Sequence, residues 1–180
     1  MEMLRENAAS LRKLFPLLCA LSTLFISIPI ANGTRGKSEL KIESIADQDG
    51  SFEKVWVEHS VMVDGQKGMR IHANFTVKNN LNVQCRFVAR FYNRDGTPLR
   101  AGNDSGFRVS GGDLASRDEF TPHFNQAVYA DVSLFIPYRE FRITEPGIHP
   151  LKFVLSLERE AQGWRSIAKS ADYNFKYRKS

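Results

Sequence analysis

The stretch Gly68-Met69-Arg70-Ile71-His72-Ala73-Asn74-Phe75-Thr76-Val77-Lys78, the link Asn79-Asn80-Leu81-Asn82, and the continuation Val83-Gln84-Cys85-Arg86-Phe87-Val88-Ala89-Arg90-Phe91-Tyr92 decide the fold. Met69, Ile71, Ala73, Phe75 and Val77 share one parity, and Val83, Cys85, Phe87, Ala89 and Phe91 share another. Alternation at period two predicts two strands, each with one buried face. If the strands form a direct hairpin, keeping both apolar sets on one face requires a loop of about three or five residues. The other solution is a crossing between two sheets at 79–82. Both bury the same side chains.

Working outward, residues 52–63 read as a strand carrying Val55, Val57, Val61 and Val63, with a bend near His59, and Leu40, Ile42 and Ile45 as a brief first strand. Asp47-Gln48-Asp49-Gly50, Asp64-Gly65-Gln66-Lys67-Gly68 and Asn93-Arg94-Asp95-Gly96-Thr97-Pro98 supply turns, because Gly accepts positive φ and Pro cannot donate to a ladder. From 101 to 126 the glycines predict a long exposed loop with one short edge strand near residues 107–110. Val128, Ala130, Val132, Leu134 and Ile136 resume the alternation; Pro137 ends it and begins one helical turn. Leu151, Phe153, Leu155 and Leu157 form a further strand, and Gln162-Gly163 turns into a last one from 164 to about 177. The sum is an all-β chain: about seven strands in a two-layer antiparallel sandwich over residues 52–180, behind a linker and short strand at 34–51.

Residues 1–33 read differently. An apolar run at 14–30 follows Arg5, Arg12 and Lys13 and precedes the small residues Ala31 and Gly33, the layout of a signal peptide cleaved near Gly33. That predicts export to the periplasm or beyond. The alternative is an uncleaved anchor at 14–30, the only route by which a membrane would be a partner. Cys19 lies in this segment, so Cys85 has no mate for an internal disulfide and reads as a small buried hydrophobe. The net charge is +5 over 180 residues. Removing three basic and two acidic residues with the leader leaves a surplus of +4, and a nucleic-acid partner is not expected. Lys176-Tyr177-Arg178-Lys179 makes a basic end.

Two resemblances follow from local motifs. Pro146-Gly147-Ile148-His149-Pro150-Leu151 resembles the start of the sixth strand in many immunoglobulin-like domains, with His149 where those carry tyrosine. Lys67-Gly68-Met69-Arg70-Ile71-His72, Asp95-Gly96-Thr97-Pro98-Leu99, Phe120-Thr121-Pro122 and Phe135-Ile136-Pro137-Tyr138 are similar to an uncharacterised immunoglobulin-like sandwich module of exported or multidomain bacterial proteins. The resemblance implies an immunoglobulin-like fold and brings no active site with it.

No residue pattern calls for enzyme chemistry or a cofactor. Asn103-Asp104-Ser105-Gly106 imitates a serine-protease nucleophile string, but no histidine and oxyanion arrangement accompanies it. His59, His72, His123 and His149 are too far apart for a local zinc site. Asp104, Asp113, Asp118 and Glu119 could gather round calcium, yet they lack the alternating loop pattern. The outward parity of the central strands offers more: Arg70, His72, Lys78, Arg86, Arg90 and Tyr92 form a candidate face for an anion or partner. In a direct hairpin Arg70 and Arg90 would confront each other unless an acid or an anionic ligand intervened. Charged outward faces also protect sheets from aggregation, and Glu from a neighbouring strand could lie between the arginines. The expected function is a non-enzymatic binding or scaffolding module at the cell envelope, its partner an unknown protein or glycan. Acidic-glycan binding through the Arg70/Arg90 face and protease inhibition through end loops are the alternatives.

Overall fold

The computed structural model of the chain describes residues 38–40, 45–46 and 49–180. The leader or anchor at 1–33, Ile42 of the first strand, and Asp47-Gln48 of the first turn lie outside the described residues. Ten strands follow in order: β1 (Ser38–Leu40), β2 (Ile45–Ala46), β3 (Gly50–Val63), β4 (Gln66–Lys78), β5 (Cys85–Asn93), β6 (Ala115–Phe120), β7 (Gln126–Pro137), β8 (Gly147–Glu160), β9 (Trp164–Lys169) and β10 (Tyr173–Lys179). Two 3-10 turns, Ser110–Gly112 and Tyr138–Phe141, are the helical elements among these residues. None of the described helices is long and apolar enough to cross a membrane.

All pairings are antiparallel. One sheet runs β1-β3-β4-β7 and the other β2-β9-β8-β5-β6, with β10 also on β8. The central strands therefore do not pair. β4 belongs to the first sheet and β5 to the second, so the crossing solution holds and the hairpin does not. Asn79 and Asn82 make this possible by taking positive φ, at 55° and 57°, while Asn79 N donates to Asn125 O and Asn82 N to Pro122 O at 2.8 Å each. Met69, Ile71, Phe75 and Val77 from one sheet meet Phe87, Phe91, Phe153, Leu155 and Leu157 from the other in a single core.

Four local expectations need correction. The short edge strand falls at Ala115–Phe120, while 107–110 holds one bridge, at Arg108, and the start of a 3-10 turn. Ala115 and Ser116 are too small to mark a strand by hydrophobicity, and Arg117-Asp118-Glu119 are charged because the strand is an edge. In β7 the residue Asp131 takes φ 54° and the register with β4 slips there. A bulge adds one residue, so Ala127 and Tyr129 turn inward before it and Leu134 and Ile136 after it, leaving Val128 71% exposed although period two placed it inside. A register shift between Phe52 and Lys54 likewise brings Phe52 into the core beside Val55. The last strand is two: β9 and β10 occupy successive lengths of the same β8 edge, parted at Ser170, whose hydroxyl accepts from Leu155 N at 2.9 Å.

Candidate binding surfaces

Because β4 and β5 lie in different sheets, the six outward residues are divided. Arg70, His72 and Lys78 lie on the outer side of the first sheet; Arg86, Arg90 and Tyr92 lie on that of the second. Arg70 pairs with Glu58 of β3 and Phe135 of β7, not with Arg90. The confrontation that argued for an anion between them does not occur.

On the first sheet the positive-φ bulge carries the Asp131 carboxylate onto His72 Nδ1 at 2.6 Å, while Asp131 N donates to Asn74 Oδ1 at 2.8 Å. Trp56, the cross-strand neighbour of His72, stacks on the imidazole with centroids 4.9 Å apart and planes 9° apart. Glu58 Oε2 stands 3.6 Å from Nε2. The imidazole is buried between two acids and a ring, which makes it a clasp joining β3, β4 and β7. Lys78 is exposed at the strand end.

On the second sheet a carboxylate does lie between arginines. Glu158 of β8, cross-strand to Arg86, accepts from Arg86 Nε at 2.7 Å and pairs with Arg90 at 2.6 Å, and Ser156 Oγ donates to it at 2.8 Å. Trp164 covers Arg86 at 4.0 Å. Burial raises the Glu158 pKa, but the hydrogen bonds and charges of Arg90, then Arg86 and Ser156, outweigh it and hold the carboxyl below its ordinary 4.5. The arginines thus spend their charge inside the protein, and Val88, which lies between them on the same outward parity, is fully buried. Tyr92 is half-buried beside them, and burial raises its pKa.

The remaining motifs resolve structurally. Ser105 Oγ donates to Glu140 Oε2 at 2.7 Å and accepts from Phe107 N, which ties down a loop. Asp113 pairs with Arg100, Glu119 accepts from Gln84, and Asp118 accepts from Glu119 N. No group of three or more metal-ligating side chains occurs among the described residues. Cys85 is fully buried, and burial pushes its thiol up to about 11, against the nucleophilic thiolate.

An open concavity lies elsewhere, at one end of the two sheets. A cleft of about 750 Å³ is lined by the β3–β4 hairpin (His59, Ser60, Gly65, Gln66, Lys67), the 137–139 corner, and residues 175–180 of β10. Local sequence builds each wall. Of the expected break at 64–68 only Asp64-Gly65 makes the turn, with φ 48° and 72°, and Gln66, Lys67 and Gly68 already pair with β3 as the start of β4. Ser60, at φ 59°, is the bulge behind the expected bend near His59, and its N–H donates to Tyr138 Oη at 3.0 Å. Tyr138 Oη also lies 3.3 Å from His59 Nδ1, and the Tyr138 ring packs on Tyr177 at 5.3 Å. Partial burial lowers the His59 pKa from 6.5.

Five cations line the cleft: Lys67, Arg139, Lys176, Arg178 and Lys179. None of its described lining residues is Asp or Glu, and among the described residues Arg139 is the cation of the five that meets a carboxylate, Glu140, at 3.4 Å. Of this set the basic run 176–179 was visible in the sequence; its convergence with Lys67 and Arg139 depends on the hairpin and the 3-10 turn reaching the same end. In comparisons with known proteins, no family model, no curated protein and no solved structure matches the chain.

Proposed function

We propose that the protein is an exported, non-enzymatic binding module of immunoglobulin-like sandwich architecture, which holds an anionic ligand in the end cleft at the cell envelope. The observation that carries this reading is the cation-rich lining, five basic side chains with no acidic residue among the described lining. Charges of one sign in a concave site focus the field and raise the local concentration of anions. Tyr138, Phe175 and Tyr177 add aromatic surface against which a ligand's apolar parts can pack. The layout of residues 1–33 supports export, and the likeness of the 67–72, 95–99, 120–122 and 135–138 motifs to exported sandwich modules supports the same architecture.

The test is retention on two immobilised polyanions, polyglutamate and polygalacturonate, over a salt gradient. Retention on at least one, weakening as salt rises, is expected from exposed charges. The double variant Lys176→Glu, Arg178→Glu should elute ahead of the wild type while unfolding at the same temperature. Equal elution of the two proteins would remove the cleft as the site.

A further inference from the structure

We propose that the ligand of this cleft is an extended acidic peptide segment of a partner protein, added as a strand along the free edge of β10. This rests on the anion-binding reading above and says what form the anion takes. The first observation is which residues line the cleft. Residues 175 through 180 all contribute, without a gap. Successive residues of a strand point to opposite faces, so a wall made by every residue in turn is a strand's edge.

The pairing of β10 agrees. From Tyr173 to Lys179 it is bonded to β8 on one side, and among the described residues no strand pairs with its other side. A second hollow, about 360 Å³ and lined by Val57, His59, Phe153, Tyr173, Asn174, Phe175 and Lys176, continues the cleft along the same edge. Together the two leave space beside the whole of β10. At about 3.3 Å per residue this is room for a strand of about seven residues.

Charge selects among possible strands. Lys176 and Arg178 stand out from one face of β10, while Phe175 and Tyr177 turn toward the core from the other. An incoming strand with acids at alternate positions would set them beside Lys176 and Arg178 and bring its intervening side chains against Phe175 and Tyr177. Lysines on an open edge repel basic strands and lose hydration against neutral ones, so the feature that guards this edge against aggregation admits an acidic one. A polysaccharide can meet the cations but offers no amide ladder to the β10 backbone.

The experiment uses the full chain and four probes, read by calorimetry at two salt concentrations. One is a seven-residue peptide alternating glutamate and valine. Two others are the same peptide N-methylated at alternate amides, in one register or the other, so that one of them blocks the pairing edge. The fourth is a polygalacturonate oligomer. Salt-sensitive binding of the unmodified peptide, weakened about tenfold or more by one methylation register and little by the other, is the expected result. Equal binding of all three peptides, or binding of polygalacturonate without the plain peptide, would overturn strand addition while leaving an anion site. Binding of no probe would overturn both.

Discussion

The carboxylate of Asp131 reaches His72 Nδ1 at 2.6 Å from the bulged position where β7 takes φ 54° and slips register against β4. One residue therefore both creates the bulge and fastens it. Replacing Asp131 with Ala places a Cβ without a local hydrogen bond in the left-handed region and leaves the buried Nδ1 without this partner. A loss of about 1–3 kcal/mol is expected in denaturant unfolding. Asp131→Asn, which tolerates that φ and still offers an oxygen, should lose less than Ala.

Glu158 should be costly to remove. Its side chain is 7% exposed and holds Arg86 and Arg90, so Glu158→Ala leaves two guanidinium groups poorly compensated, at about 3–5 kcal/mol in unfolding free energy. The pH dependence has a definite sign. Its folded pKa lies below the ordinary 4.5, so the stabilisation is present above 4.5 and is lost as pH falls through the lower folded value. Urea midpoints compared between pH 7 and pH 3 should fall more steeply for the wild type than for Glu158→Gln.

Gly68 and Gly65 should respond in opposite ways. A Cβ on Gly68 would overlap the Ile136 carbonyl oxygen and stand 2.6 Å from the Phe135 ring, so Gly68→Ala should cost about 3 kcal/mol. Gly65 has no atom within 4 Å of the added Cβ and needs only a residue that accepts φ 72°. Gly65→Asn should stay within about 1 kcal/mol of wild type, measured by thermal unfolding.

Anion binding in the cleft should strengthen on mild acidification. His59 is neutral at pH 7, since partial burial lowers its pKa from 6.5, and protonation adds a sixth cation to a lining already holding Lys67, Arg139, Lys176, Arg178 and Lys179. Polyglutamate affinity followed as pH falls from 7.5 through 6.5 should gain more, or lose less, for the wild type than for His59→Gln, the comparison that removes the titration of the polyglutamate itself.

Where a residue pattern was uninterrupted, the fold was legible. The alternation of 69–77 and of 151–157 predicted the buried sets that the structure contains, and that of 83–91 did so from Cys85 onward, Val83 lying half-buried ahead of β5. Period two is blind to a bulge, however. Asp131 and the irregularity after Phe52 each shift the count by one, and nothing about an Asp between Ala130 and Val132 marks it as left-handed. Partner choice was open as well: the apolar parities of β4 and β5 suit a hairpin or a crossing, and the Asn79 and Asn82 turns selected the second. The candidate site suffered most from this. Arg70 and Arg90 are near in sequence and divided between sheets, whereas Lys67 and Arg178 are distant in sequence and share a cleft.

The crossing at 79–84 also bears on the order in which the molecule assembles. β3 and β4 are joined by a two-residue turn and can pair as soon as both exist, but β5 waits for β6 and for β8, which begins only at Gly147. During synthesis the second sheet thus lacks its central ladder until most of the chain has emerged, and Phe87 and Phe91 stay uncovered meanwhile. Non-local pairing of this kind makes folding slow and exposes intermediates to aggregation. Refolding should show an early phase from the β3–β4 hairpin and a later one in which β5 and β8 come together, so that Trp164 reports on the second event through its contact with Arg86.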